Sequence, residues 1–257
     1  MRYLIQLSYS GAGFCGWQNQ PDAPSVQQSL ENALGTLLGT PTPVTGAGRT
    51  DTDVNAIAYI ACFDGPEGLA TDMFRYKLNA ILPASVAVYS IAPAAPDFHA
   101  RFDARRREYT YFIHRAKDPF VAGYSYYYGY PDVDFDAMNR AAAMLVGTHD
   151  FSCFEKVGAD NKTSICTVYE AFWAPYVPTH AELMGPVAGP ENQYWYFRIS
   201  ADRFLRNMVR AIVGTLLEVG RGKRSADDIP MLIENGNRSQ AGQSVPGHAL
   251  FLSKVLY

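Results

Sequence analysis

Residues Arg2 to Tyr9 alternate, with Tyr3, Ile5, Leu7 and Tyr9 on one side and Arg2, Gln6 and Ser8 on the other. A period of two buries one face of a strand and leaves the other wet, so this segment must be half-buried sheet covered by another layer. The covering layer follows in the sequence. Gly11, Gly13 and Gly16 break the strand, and Ser25 with Gln28 three positions on reads as a capping box. Val26, Leu30, Ala33, Leu34 and Leu37 form the apolar stripe of the helix it opens, and Gly39 ends it. Ile57 to Phe63 is an apolar run with the character of a buried strand. A helix capped by Thr71 runs to Ile81 ahead of Pro83, and Val86 to Ile91 is a further strand.

The Ala- and Pro-rich stretch Pro93 to Pro96 marks a boundary, after which the pattern restarts. Tyr109, Tyr111 and Ile113 alternate along a strand. Asp134 opens a helix with Phe135, Met138, Ala142 and Leu145 inward, stopped by Gly147. Ile165 to Trp173 and Tyr194 to Ser200 read as strands. Phe204 to Val219 is the strongest helix, and Ala249 to Tyr257 is a closing strand. The proline-rich stretch Pro175 to Pro190 reads as a loop. The expected class is α+β in two related lobes, an N-terminal one over 1–104 and a C-terminal one over 105–257.

The chain has 257 residues, of which 48% are hydrophobic and 18% charged, which excludes a disordered chain. Four widely spaced cysteines form no C-x-x-C pair, which argues against a zinc knuckle. Met1 to Tyr9 lacks the apolar stretch of a signal peptide, and no run has the apolar length of a membrane span. A cytoplasmic enzyme with reduced thiols is the expectation. The net charge of −3 does not suggest a nucleic-acid binder, but its distribution does. His99 to Arg115 carries +3 and Arg203 to Arg224 carries +5, leaving −11 for the remainder.

Three constellations could carry chemistry. In Gly48-Arg49-Thr50-Asp51, small residues allow close backbone approach. Arg49 and Asp51 share a side if the segment is extended, and a neighbouring guanidinium favours an ionised carboxylate. Such a carboxylate can attack an anomeric carbon. The same spacing fits a structural ion pair in a turn. Asp51-Thr52-Asp53 also spells D-x-D, a short, common metal-binding pattern that a nucleotide-sugar transferase would use. Second, Phe98 to Tyr109 mixes arginines with aromatic residues, as phosphate and base contacts do, although Arg105 to Arg107 taken singly read as a solvated arginine run. There Tyr109 is either a core residue or an acid, base or stacking group. Third, Arg203, Arg206 and Arg210 fall three and four apart, so on a helix they form one basic face that can track phosphates. His149-Asp150 reads as a loop hydrogen-bonding unit and Trp17 as a packing residue.

Together these blocks resemble the tRNA pseudouridine synthase A family over nearly the whole chain. Tyr9-Ser10-Gly11 with Phe14-Cys15-Gly16-Trp17-Gln18 and Ser25-Val26-Gln27 is similar to its N-terminal signature, and Gly48-Arg49-Thr50-Asp51 to its catalytic motif. Phe98-His99-Ala100-Arg101-Phe102, Leu145 to Phe151, Phe204 through Gly220 and Ala249-Leu250-Phe251-Leu252 match further blocks in order. The resemblance implies a homodimeric enzyme without cofactor or metal. It would isomerise uridine to pseudouridine in the anticodon arm of tRNA, at positions 38, 39 and 40 in tRNA numbering. It also implies two lobes whose antiparallel sheets join across a central basic cleft, with helices outside. Asp51 would be the essential carboxylate, with Arg49 paired to it and holding the flipped nucleotide. Tyr109 would stack on the uracil and assist proton removal from C5, and Leu250 would line the pocket. Arg101, Arg206, Arg210 and His99 would bind substrate. Two positions depart from the family pattern, Asp53 for a glycine and Asn55 for a ring-bearing or small polar residue. They leave a tRNA-binding paralogue of reduced activity as the alternative.

Overall fold

The computed structural model describes residues 1–158, 162–185 and 192–257. The chain is α+β and divides into two compact units. Met1–Arg107 with Phe251–Tyr257 forms one, and Glu108–Leu250 the other. The sequence placed the division between 104 and 105 and the closing strand in the second lobe. Instead the chain's end returns to the first unit, because its last strand pairs with a strand that is nearly two hundred residues earlier.

In the first unit the strands are ordered β4 (Val86–Pro93), β1 (Arg2–Tyr9), β3 (Asn55–Asp64) and β10 (Leu250–Leu256), and β2 (Val44–Gly46) also pairs with β3. The pairs of β1 with β3 and β4 are antiparallel, while β10 lies parallel to β3. The alternation read from Arg2 to Tyr9 is present residue by residue, with Tyr3, Ile5, Leu7 and Tyr9 buried. Helix α1 (Val26–Leu38) opens as expected, with the Ser25 hydroxyl accepting from the Gln28 N–H, and ends at Gly39 in the left-handed region. Leu30 and Leu34 of α1 are fully buried with Ile5 and Leu7 of the sheet. Truncating either leucine to alanine removes about 2–5 kcal/mol of burial and packing. Helix α2 (Thr71–Ile81) differs in its start. Thr71 lies inside the first turn, and Ala70 stands at the cap with no side-chain bond.

In the second unit the order is β5 (Arg106–His114), β9 (Tyr194–Ala201), β8 (Ile165–Pro175) and β7 (Gly147–Asp150), with the short β6 (Tyr126–Tyr127) on β5. Helix α3 (Phe135–Ala143) is capped by Asp134, as the sequence indicated. The stretch read as a loop from Pro175 contains a short helix, α4 (Thr179–Met184), and its part at 186–190 lies outside the described residues. Asp118 is buried and accepts from Tyr194 at 2.6 Å, His180 at 2.9 Å and the Phe120 N–H at 2.9 Å. Burial alone would raise its carboxyl, but these donors hold it below the usual carboxylate range.

Helix α5 (Met208–Gly220) carries the largest correction. The 3.6-residue pattern predicts a start at Phe204, but Asn207 sits at φ 67° and breaks the run. Asn tolerates this region better than most residues, and its amide donates to Ser244 at 2.6 Å. Eleven of the 13 residues of α5 are buried, so the helix has no exposed side on which a basic stripe could run. Arg203 and Arg206 precede it, and only Arg210 lies on it. A last helix, α6 (Asp228–Asn235), packs beside β7.

Candidate active site

Asp51 lies in the turn between β2 and β3, half-buried, and both flanks of that turn are tied down. On the upstream side, the Tyr59 hydroxyl donates to the Gly48 carbonyl and accepts from the Gly48 N–H at 3.3 Å. Tyr59 is fully buried, with its ring 4.1 Å from that of Trp17. The packing role read for Trp17 is therefore to back the turn. The Thr50 hydroxyl meets the Tyr9 hydroxyl at 2.9 Å. Tyr59→Phe keeps the ring packing and removes the donor to Gly48. It should cost about 1–2 kcal/mol. Thermal denaturation should register this as a fall of about 2–4 °C per kcal/mol.

The glycines of the N-terminal block explain the downstream side. The backbone from Gly11 to Trp17 lies against 50–55. Trp17 N–H donates to Thr50 O at 3.2 Å, Asp53 N–H to Phe14 O at 3.4 Å, and Gly11 N–H to Asn55 Oδ1 at 2.9 Å. A Cβ at Gly16 would sit 2.3 Å from Thr50 O and 3.1 Å from the Asp51 carbonyl carbon. Two blocks distant in sequence are thus one backbone sandwich.

Arg49 and Asp51 do not form the expected ion pair. Arg49 is exposed, and among the described residues it has no carboxylate within ion-pair distance. The turn itself closes just after them, with Val54 N–H donating back to Asp51 O at 3.2 Å and Asp53 at φ 63°.

The two departures from the family pattern are accommodated locally. Asp53 is exposed and adopts the left-handed conformation a glycine would supply. Asn55 is 2% exposed and its amide oxygen holds the Gly11 backbone, so it serves the turn.

A second loop of the first unit carries His99 and Arg101. His99 Nδ1 accepts from the Arg101 N–H at 3.2 Å and the Phe102 N–H at 3.3 Å, while Asp103 accepts from the His99 N–H at 2.8 Å. His99 is therefore the organiser of this turn, and the ring proton of its neutral form belongs on Nε2. Arg101 is exposed, with its guanidinium 5.7 Å from the centroid of Phe102, itself 74% exposed. Arg107, read singly as part of a solvated arginine run, instead joins both loops. Its guanidinium donates to Ala47 O at 2.9 Å, Arg101 O at 2.6 Å and Ala104 O at 3.1 Å. No local signal separates Arg107 from Arg105 and Arg106, because the carbonyl that defines its role lies 60 positions away.

The remaining expected site residues lie in the second unit. Tyr109 is 9% exposed on β5, with Phe204 edge-on at 5.1 Å. Tyr111 is core, and burial raises its hydroxyl far above the usual tyrosine value. Arg206 is exposed, just before the left-handed Asn207. Arg210 is half-buried and donates to Val245 O at 2.7 Å. Leu250 is 4% exposed, following the turn in which its N–H donates to Gly247 O. His149 and Asp150, read as a loop unit, instead lie on β7, where they bond locally to Val146 O and the Ser152 N–H. Among the described residues, no three His, Cys, Asp or Glu side chains come together as a metal site, and no helix is long and apolar enough to cross a membrane. All four cysteines are free.

Residues 141–257 match the model of a family described as tRNA pseudouridine synthase. Over its full length the chain is 48% identical to the tRNA pseudouridine synthase A of Parabacteroides distasonis, covering 96% of that protein. It is 48% identical to that of Bacteroides fragilis, again covering 96%. It is 38% identical to that of Bacillus velezensis, covering 99%. Identity at this level along the whole chain, with the Gly48–Asp51 turn packed against the N-terminal motif block, shows that the chain belongs to the tRNA pseudouridine synthase A family.

Proposed function

We propose that this chain isomerises uridine to pseudouridine in the anticodon arm of tRNA, at positions 38, 39 and 40, as a cytoplasmic homodimer that needs no cofactor. The observation that carries the reading is the Asp51 turn, a half-buried carboxylate fixed through the backbone on both flanks, in a chain of this family. The reaction breaks the C1′–N1 bond and forms C1′–C5. One proton leaves C5 and one is gained at N1, so the change is redox-neutral. The target base must leave its stack to be reached. Asp51 acts at the sugar as the carboxylate that enables glycosidic cleavage. Arg49, exposed two residues before it, holds the flipped nucleotide. Tyr109 provides the ring against which the uracil stacks and a hydroxyl for the C5 proton. Leu250 gives the pocket an apolar wall. Arg101, Arg206 and Arg210 take phosphates. His99 acts by shaping the Arg101 loop, which its ring bonds support.

Release of tritium from tRNA carrying 5-tritiated uridine tests the reading. The wild-type protein should release one tritium per pseudouridine formed, and excess EDTA should leave the rate unchanged. No release from any tRNA overturns the proposal in favour of a binding protein, and loss of activity in EDTA overturns its cofactor-free form.

A further inference from the structure

Six cations lie between Arg203 and Arg224, and α5 separates them into two groups. Arg203, Arg206 and Arg210 stand at its N-terminal end; Arg221, Lys223 and Arg224 follow its C-terminal end. Thirteen residues at about 1.5 Å each place the groups roughly 20 Å apart. The buried helix between them offers no charged path, so the second group needs its own account.

Arg224 is taken up internally, by Glu218 at 3.2 Å and by Gln240 O at 2.6 Å. Neither of the other two is held by a carboxylate, although the half-buried Arg221 also faces the buried Tyr128 hydroxyl. The Arg221 guanidinium lies 3.5 Å from the centroid of Tyr130, a ring 43% exposed. Lys223 is exposed. Arg115 joins them from β5's end, donating to the carbonyls of Tyr130 and Pro131, with its Nε buried and lacking a hydrogen-bond partner among the described residues. Among the described residues, none of Arg115, Arg221 and Lys223 has a carboxylate within ion-pair distance. Arg115 and Arg221 line a cleft of about 420 Å³ together with Asp132 and Asp134. A helix C-terminus favours one cation by itself. It does not account for a guanidinium stacked on an open tyrosine beside a second arginine, with an exposed lysine two residues on.

We propose that Arg115, Tyr130, Arg221 and Lys223 form a second RNA contact, which binds a nucleotide of the tRNA outside the anticodon loop. The cations take its phosphate, and the stacked Arg221–Tyr130 pair presents a flat surface to its base. Asp132 and Asp134 accept from the ribose 2′-hydroxyl or base N–H groups, which suits RNA over a bare polyanion. This rests on tRNA being the substrate.

The test compares full-length tRNA with an isolated anticodon stem-loop as binding probes. Arg221→Glu and Lys223→Glu should each weaken full-length tRNA binding about tenfold at low salt and reduce the salt slope by about 1. Affinity for the stem-loop should change less than twofold. Lys223→Glu removes charge without touching the packed stack, so its effect stands even if Arg221→Glu unfolds the region. An unchanged affinity and slope for full-length tRNA in Lys223→Glu overturns the proposal. So does an equal loss on the stem-loop, which would merge this cluster with the main site. If the wild-type protein forms no pseudouridine in any tRNA, the substrate reading itself fails, a result separate from either of these.

Discussion

Asp51→Asn should leave a folded protein that still binds tRNA and makes no pseudouridine, with a fall of at least about 10⁴-fold in the single-turnover rate. The substitution is nearly isosteric. Bonds through the backbone of 48–55 and through Tyr59, Tyr9 and Asn55 help hold the turn and survive the substitution. The Asp51 carbonyl that accepts from Val54 N–H is unchanged by a side-chain amide. Stability and tRNA affinity should therefore stay near wild-type while the chemistry disappears. Asp51→Glu keeps the charge and displaces it by about one bond length, a shift that costs about 10²-fold where geometry limits rate. Rapid-quench measurement of pseudouridine at saturating tRNA distinguishes the pair. Retained turnover in Asp51→Asn would move the chemistry to another group.

Gly16→Ala should lose both stability and activity, whereas Gly13→Ala should lose only a little stability. Both glycines have positive φ, 96° and 82°, so alanine at either pays roughly 1–2 kcal/mol of left-handed strain. They differ in surroundings. A Cβ at Gly13 meets nothing within 4 Å, but one at Gly16 would lie 2.3 Å from the Thr50 carbonyl oxygen. That overlap can be relieved only by moving the backbone that carries Asp51. A displacement of about 1 Å there lowers kcat about 10²-fold. Melting curves with kcat and KM measured on both variants test the contrast. Equal kcat in the two would show that Gly16 is needed for its φ alone, and that the N-terminal block does not position the Asp51 turn.

How much of the site is legible in the sequence depends on the distance over which each feature is set. The Ser25 and Asp134 caps were readable because their bonds close within three residues, to Gln28 and Ala137. The Gly48–Asp51 motif was readable as a motif, but its geometry was not. The spacing of Arg49 and Asp51 suggested a pair, but the folded chain leaves Arg49 exposed and without a carboxylate within ion-pair distance among the described residues. The basic stripe failed as well. A periodic pattern continued through Asn207, and one backbone conformation that periodicity does not register ended the helix there. Arg107 was indistinguishable from its neighbours in the run until the carbonyls of Ala47, Arg101 and Ala104 were around it.

The sequence alone determined the α+β class, the face of β1 that is buried, the caps of α1 and α3, the apolar character of α5 and the family. Each of these is carried by residues within a turn or two of one another, or by blocks in linear order. Tertiary structure decided which unit owns the closing strand, why Gly11 and Gly16 precede the Asp51 turn, what Asn55 does, and that the cations around α5 are two clusters. Those are contacts between segments tens to hundreds of residues apart, or a single φ angle. A linear pattern holds no record of either until the chain closes on itself.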